Sequence, residues 1–382
     1  MQVKKLLWIA GLCGSLAACG GDTPSPQVAT DTLSMKVERF RAASGVPGLA
    51  VIVIEDDKVD VATSGVQRVG APGVIGRDDQ FQMGSLTKAV TASLLARLVE
   101  QNKLRWDATL AELFPAWREH MRPEYRGVTV TQLLRHRSGL PRDFSNADFA
   151  ELQPLLTGDP LKDRAAAGLL FLQRPSQSTP GTITSYSNIG YLIAGLIAES
   201  IGNAPYEQLM AQQVLQPLQM KGRFGMPEDA GGQTPVGHIR AAQGWQVARY
   251  SPDMDDETQF HLWLFAVDAA GGLAVSAPDY SRFLLEQLHG LQGRSTYLKQ
   301  ENFQLMHTPV DGYAFGWGVL DVPQVGPVSF HSGTVGTYYA TNRLIPGKNR
   351  AVAVMCNCKS DDSDRQIEDF ANTLAGGEPQ GK

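Results

Sequence analysis

The feature that most restricts the fold is the placement of strand-like runs at both ends of the chain. Gly48-Leu49-Ala50-Val51-Ile52-Val53-Ile54 is apolar, rich in β-branched residues and without polar alternation, as a strand covered on both faces would be. A second strand at Val59–Ser64 pairs with it. Strand patterns return only near the C-terminus, at Gly316–Leu320, Val328–His331, Thr337–Ile345 and Arg350–Cys358. Between them, from Ser85 to about Met226, helical spacing dominates. Leu86, Val90, Leu94 and Leu98 form one apolar stripe, and Ile189, Leu192, Ile193, Leu196 and Ile197 form another. Thr129 with Gln132 makes a capping box ahead of Leu133-Leu134. Residues 31–44 and Asp364–Leu374 read as flanking helices. These elements predict an α+β fold: one antiparallel sheet assembled from the two termini, flanked by helices, with a mostly helical region inserted. A site is expected in the cleft between sheet and insertion.

The N-terminus carries a different kind of signal. Lys4-Lys5 precede the apolar run Leu6–Leu12, which is too short to span a bilayer and ends in small residues, as an export signal does. Leu16-Ala17-Ala18-Cys19 resembles the bacterial lipoprotein box, implying cleavage after residue 18, a lipid on Cys19 and a body held at the cell envelope. The polar, Pro/Gly-rich stretch over 19–32 reads as a tether, the folded body as 33–376, and 377–382 as a tail. Cys356 and Cys358 then remain in the body. Two residues apart on one strand face, they are poorly placed for a disulfide and are read as small core residues.

Charge and motifs narrow the function. With 34 Lys plus Arg against 39 Asp plus Glu and no basic tract, a nucleic-acid partner is excluded. No Gly-x-Ser-x-Gly elbow, His-Glu-x-x-His helix or Walker loop occurs. Instead, Ser85-Leu86-Thr87-Lys88 opens an amphipathic helix, so Ser85 Oγ and Lys88 Nζ share a face one turn apart. A lysine whose pKa is lowered by burial can take or relay the serine proton. Tyr186-Ser187-Asn188, before the Ile189 helix, offers a phenol for proton transfer and an amide for orienting substrate. On a late edge strand, His331-Ser332-Gly333-Thr334 forms a third element. Gly333 would admit substrate close to the backbone, and the N–H groups of Thr334 and Ser85 would form an oxyanion hole. No metal or cofactor is called for, because these groups supply nucleophile, base and oxyanion donors.

The order of these motifs resembles that of the serine β-lactamase and penicillin-binding-protein superfamily, in the branch of class C β-lactamases, D,D-peptidases, D-aminopeptidases and esterases. Leu133-Leu134-Arg135-His136-Arg137-Ser138-Gly139-Leu140-Pro141, Ala270-Gly271-Gly272-Leu273 and Phe315-Gly316-Trp317-Gly318 are similar to further segments of that branch, over about residues 34–372. The resemblance implies a β-lactamase/transpeptidase-like fold. It also implies that Ser85 is the acylated nucleophile, Lys88 its activating partner and Tyr186 the general base for acylation or for the deacylating water, that Asn188 holds the acyl amide, and that His331 takes the third-motif position. His136, near a helix end, is expected to satisfy backbone groups there. Class C enzymes generally carry Lys-Thr-Gly where this chain has His331-Ser332-Gly333, so a fixed charge for a substrate carboxylate is missing. The expectation is an envelope-anchored serine hydrolase of D-Ala-type peptides or small esters and amides, with a bell-shaped pH profile. A weak β-lactamase and a non-catalytic binder of cell-wall peptides or acyl ligands are the alternatives.

Overall fold

In the computed structural model, residues 31–231, 233–250 and 257–376 are described. The predicted signal, Cys19, almost all of the tether and the tail lie outside them. Helix α1 (Leu33–Ser44) starts at Thr32, whose hydroxyl accepts from Met35 N, and stops at Gly45 in the left-handed region. Six strands follow the expected plan: β1 (Gly48–Glu55), β2 (Lys58–Gly65), β3 (Gly318–Val322), β4 (Gly326–Val335), β5 (Tyr338–Ile345) and β6 (Arg350–Cys356). They form one antiparallel sheet in the order β2-β1-β6-β5-β4-β3. The two termini meet where β1 pairs with β6, Leu49 opposite Cys356 and Val53 opposite Val352.

Both faces of this sheet are covered, which is why β1 and β6 are apolar at consecutive positions. Leu49, Val51, Val352 and Val354 pack with Val37 of α1 and with Ile367 and Ala371 of the C-terminal helix Asp361–Leu374. Phe40 stacks on Phe370 at 4.2 Å between ring centres. The alternate residues Ala50, Ile52, Ala351, Ala353 and Met355 face the larger core, with Tyr280, Phe283 and Leu284 of the helix Ala277–Leu291.

The insertion centres on α2 (Thr87–Glu100) and α3 (Asn188–Gly202), which pack on one another. Neither is a surface helix. Buried residues surround almost the full circumference of α2, including Thr87, Lys88, Thr91 and Ser93, so the amphipathic reading of the Ser85 helix is corrected. The capping box at Thr129 and Gln132 is present. Helices also continue past residue 226, at Glu257–Ala266, Ala277–Leu291 and Gln300–His307.

Two expectations about the C-terminal strands are overturned. The strand carrying His331 is not an edge: β4 lies between β5 and β3. Cys356 and Cys358 are joined in a disulfide, their Cα atoms 5.2 Å apart. The extended run breaks at Asn357, whose N–H donates to Gly48 O and whose side-chain amide donates to Val66 O and Gln67 O. The chain then leaves the large sheet, and Cys358-Lys359 pairs with His238–Ala241 in a separate three-stranded sheet. That break brings the two sulfurs within reach, as a regular strand would not.

Candidate active site

Ser85 sits in a single 3-10 turn, Gly84–Leu86, that leads into α2. Gly84 has φ +51°, and a Cβ there would lie 2.4 Å from Thr334 N. From the other side, a Cβ on Gly333 would lie 2.3 Å from Met83 O and 2.5 Å from Ser85 N. The two glycines therefore let the nucleophile turn press directly onto β4. Gly333 is filled by protein backbone rather than kept clear for substrate, and the contact brings the N–H groups of Ser85 and Thr334 to adjoining stretches of chain. Gly333→Ala must push the turn back by several tenths of an ångström. About a hundredfold loss of turnover is expected, since misplacing a reacting group by about 1 Å can cost that much. Steady-state kinetics beside a thermal melt checks it.

Lys88 is fully buried one helical turn on. Its Nζ has three hydrogen-bond partners: Ser85 Oγ at 3.0 Å, Asn188 Oδ1 at 2.8 Å and Ala270 O at 2.8 Å. Two of these are carbonyl oxygens and can only accept. A neutral amine satisfies them with its two hydrogens and turns its lone pair to Ser85, whose hydroxyl then donates. Burial drives the Lys88 pKa well below its ordinary value, opposed by the Asp143 carboxylate and assisted by the Arg142 guanidinium.

Tyr186 completes the contacts of Ser85, its OH donating to Oγ at 2.5 Å. Burial raises the Tyr186 pKa above its usual value, so the resting group is a phenol, with the Ser85 hydrogen bond pulling the other way. Asn188, the first residue of α3, joins the site to a neighbouring loop. Its Nδ2 donates to Asp143 Oδ2 at 2.7 Å, and Asp143 Oδ1 accepts from Trp263 Nε1 at 2.6 Å. The Arg142 guanidinium lies over the Tyr186 ring, 5.1 Å from its centre.

The signs of these effects give a pH test. With Lys88 required neutral, kcat/KM rises with pH through its folded-state pKa. Removing the Asp143 charge removes what holds that pKa up, so Asp143→Asn moves the acid limb to lower pH. Removing the Arg142 charge acts oppositely, so Arg142→Gln moves it to higher pH. The readout is the limb's position in a pH–rate profile, and shifts of the same sign in both variants would contradict the assignment.

The third motif is divided between the two faces of β4. His331 and Gly333, opposite Asn342 and Ala340, face the site, whereas Ser332 and Thr334, opposite Thr341 and Tyr339, alternate to the other face. The Ser332 side chain is thus not brought to Ser85, and Thr334 can offer only its backbone there. His331 is buried. Its Nδ1 lies 2.7 Å from Ser332 O, which only accepts, so Nδ1 carries the proton and Nε2 accepts from Tyr313 OH at 3.0 Å. Burial pushes its pKa down to about 4, so His331 is neutral near pH 7.

Sequence reasoning thus placed Ser85, Lys88, Tyr186, Asn188 and His331 around one centre. It missed Asp143, Arg142, Trp263, Tyr313 and the Ala270 carbonyl, which carry no spacing signal of their own. His136 satisfies backbone at its own helix end, its N–H donating to Leu133 O at 3.1 Å, and it also reaches beyond that end. It has φ +57°, and its Nδ1 accepts from Ser187 N at 3.1 Å, in the loop carrying Tyr186.

Comparison with known proteins places this geometry in context. The Beta-lactamase family model matches residues 33–376. Penicillin-binding protein 4 of Amycolatopsis lactamdurans is 26% identical over 339 residues, covering 84% of each chain. Protein flp of Staphylococcus aureus strain MW2 is 22% identical over 359 residues, which cover 91% of this chain and 66% of that longer protein. Among solved structures, the octameric penicillin-binding protein homologue from Pyrococcus abyssi superposes with a TM-score of 0.71 at 24% identity, over 90% of this chain and 76% of that one.

Proposed function

The chain belongs to the beta-lactamase family, whose members are generally serine hydrolases acting on acyl substrates, and from that premise we propose that it hydrolyses D-Ala-type peptides or small esters and amides through an acyl-enzyme on Ser85. The observation that carries the reading is the pair of contacts on one hydroxyl: Lys88 Nζ at 3.0 Å and Tyr186 OH at 2.5 Å from Ser85 Oγ.

A neutral Lys88 beside a protonated Tyr186 suits both half-reactions. In acylation, Ser85 Oγ bonds to the carbonyl carbon and its proton passes to Lys88 Nζ. The bond to the leaving group breaks, and that group takes the Tyr186 proton, leaving an ammonium and a phenolate in one pocket. In deacylation, water occupying the leaving group's place gives a proton to the phenolate and attacks the acyl carbon. Ser85 Oγ departs with the Lys88 proton, and the starting state is restored. The N–H groups of Ser85 and Thr334 would hold the oxyanion in each tetrahedral intermediate, and Asn188 the acyl amide.

A neutral His331 supplies no fixed charge for a substrate carboxylate such as that of a β-lactam, and this favours esters and amides that lack one over lactam. Among short-chain p-nitrophenyl esters, D-Ala-D-Ala peptides and cephalosporins, the cephalosporins should have a kcat/KM at least about tenfold below the best substrate, since a buried charge pair contributes that much or more. A cephalosporin leading the series would overturn the preference. We further propose that lipid on Cys19 tethers the body at the envelope. Incorporated radiolabelled palmitate, lost in Cys19→Ser, is the expected result.

A further inference from the structure

His136 is outside the reaction just described, yet it is buried at 1% exposure and sits in a backbone conformation unusual for a residue with a side chain, φ +57°. Its carbonyl oxygen accepts from Ser185 N at 2.8 Å, and its Nδ1 accepts from Ser187 N at 3.1 Å. These are the N–H groups on either side of Tyr186. The imidazole also packs on the Tyr186 ring, with centres 4.3 Å apart, and on Tyr313 at 4.5 Å. One residue therefore holds Tyr186 by its preceding amide, its following amide and its ring face.

The left-handed backbone is what allows this, because it turns the carbonyl and side chain of one residue toward the same loop. Because Ser187 N–H can only donate, Nδ1 must be the unprotonated nitrogen, which fixes the tautomer with the proton on Nε2. Nε2 has no hydrogen-bond partner among the described residues, so the ring's polar contact is spent on the Tyr186 loop. An apolar side chain of similar size would fill the space but leave Ser187 N–H buried without an acceptor.

We infer that His136 is a positioning residue for the hydrolysis, a bracket that holds the Tyr186 phenol on Ser85 Oγ. The inference rests on the function proposed above, in which Tyr186 moves a proton. It predicts that an acceptor at the Nδ1 position matters, and that it matters only through the Tyr186 hydroxyl.

The test is a set of substitutions assayed on p-nitrophenyl acetate, with a thermal melt of each variant. His136→Gly keeps the left-handed backbone and the carbonyl but loses the imidazole, and should lower kcat roughly 30- to 100-fold with KM within about threefold of wild type. His136→Asn places an oxygen near the Nδ1 position and tolerates φ > 0, and should recover at least about tenfold of that loss. His136→Gln, whose oxygen reaches the Nε2 position, should not. This pair decides the matter even if the glycine variant does not fold. In a Tyr186→Phe background, His136→Gly should cost less than about twofold more, because the hydroxyl it positions is already gone. Equal losses from His136→Gly in both backgrounds, or equal activity of the Asn and Gln variants, would overturn the inference while leaving Ser85 chemistry intact. Full activity of Tyr186→Phe alone would remove the proposed role of Tyr186 and the bracket with it.

Discussion

Lys88→Arg should be as inactive as Lys88→Met, with kcat for ester hydrolysis down by about 10³-fold or more in each, the upper part of the range for losing a positioned general base. Charge conservation does not help, because a guanidinium cannot give up its proton and has no lone pair for Ser85. The three partners of Nζ, two of them carbonyl oxygens, and a pKa driven down by burial all suit an amine that rests neutral. The same reasoning shapes the wild-type pH profile. Activity falls as pH drops through the lowered pKa of Lys88. The opposite limb, set by deprotonation of Tyr186, is displaced above pH 10 because burial raises that pKa. The bell expected from sequence thus becomes a rise followed by a plateau across the range in which the enzyme is assayed. An arginine variant with near wild-type turnover would contradict this assignment, as would an alkaline downturn well below pH 10 that Tyr186→Phe abolishes.

Arg164→Met should lower stability by about 3–5 kcal/mol, the range for removing one partner from a buried ionic cluster. Arg164 is fully buried in the helix Pro160–Leu172 and forms ion pairs with Glu199 and Glu207, with Asp268 Oδ2 at 3.8 Å. Its Nη2 also donates to Phe265 O at 3.3 Å. Without the guanidinium, the buried carboxylates of Glu199 and Asp268 lose their cation, and the partly exposed Glu207 beside them loses its partner. Burial already raises the pKa of Asp268 and Glu199. The effect reaches the site because Asp268 opens the short helix Asp268–Gly271, whose Ala270 O holds Lys88 and whose Ala269 O holds Thr91. A drop in Tm on the order of 4–7 °C together with reduced turnover is expected. Lysine should not substitute well, since one ammonium cannot span the carboxylates that the fork reaches. An unchanged Tm in Arg164→Met would remove the cluster from any account of how the lysine is held.

What could be read from sequence follows from which signals are periodic. The large sheet was legible because β1 and β6 are buried on both faces and so carry continuous apolar runs. The site motifs were legible because Ser85 and Lys88 lie one helical turn apart and Tyr186 and Asn188 two residues apart. The strands Gln80–Gln82, Gly222–Phe224 and Leu273–Ser276 were not, because three or four residues are too few to show a period. Cys356 and Cys358 misled because the break at Asn357 depends on partners at residues 48, 66 and 67, far away in sequence. Ser332 was grouped with its motif although strand alternation turns it to the far face. Asp143 and Arg164 act through tertiary contacts that no local pattern announces.

The central claim is that Ser85 becomes covalently acylated. Its most direct test is intact-mass spectrometry with peptide mapping after treatment with a fluorophosphonate and, separately, after rapid acid quench with p-nitrophenyl acetate. The account predicts one adduct per chain on the peptide holding Ser85, and none on Ser85→Ala. An adduct centred on another residue, or none with either reagent on a folded wild-type protein, would contradict it and leave a binding protein in its place.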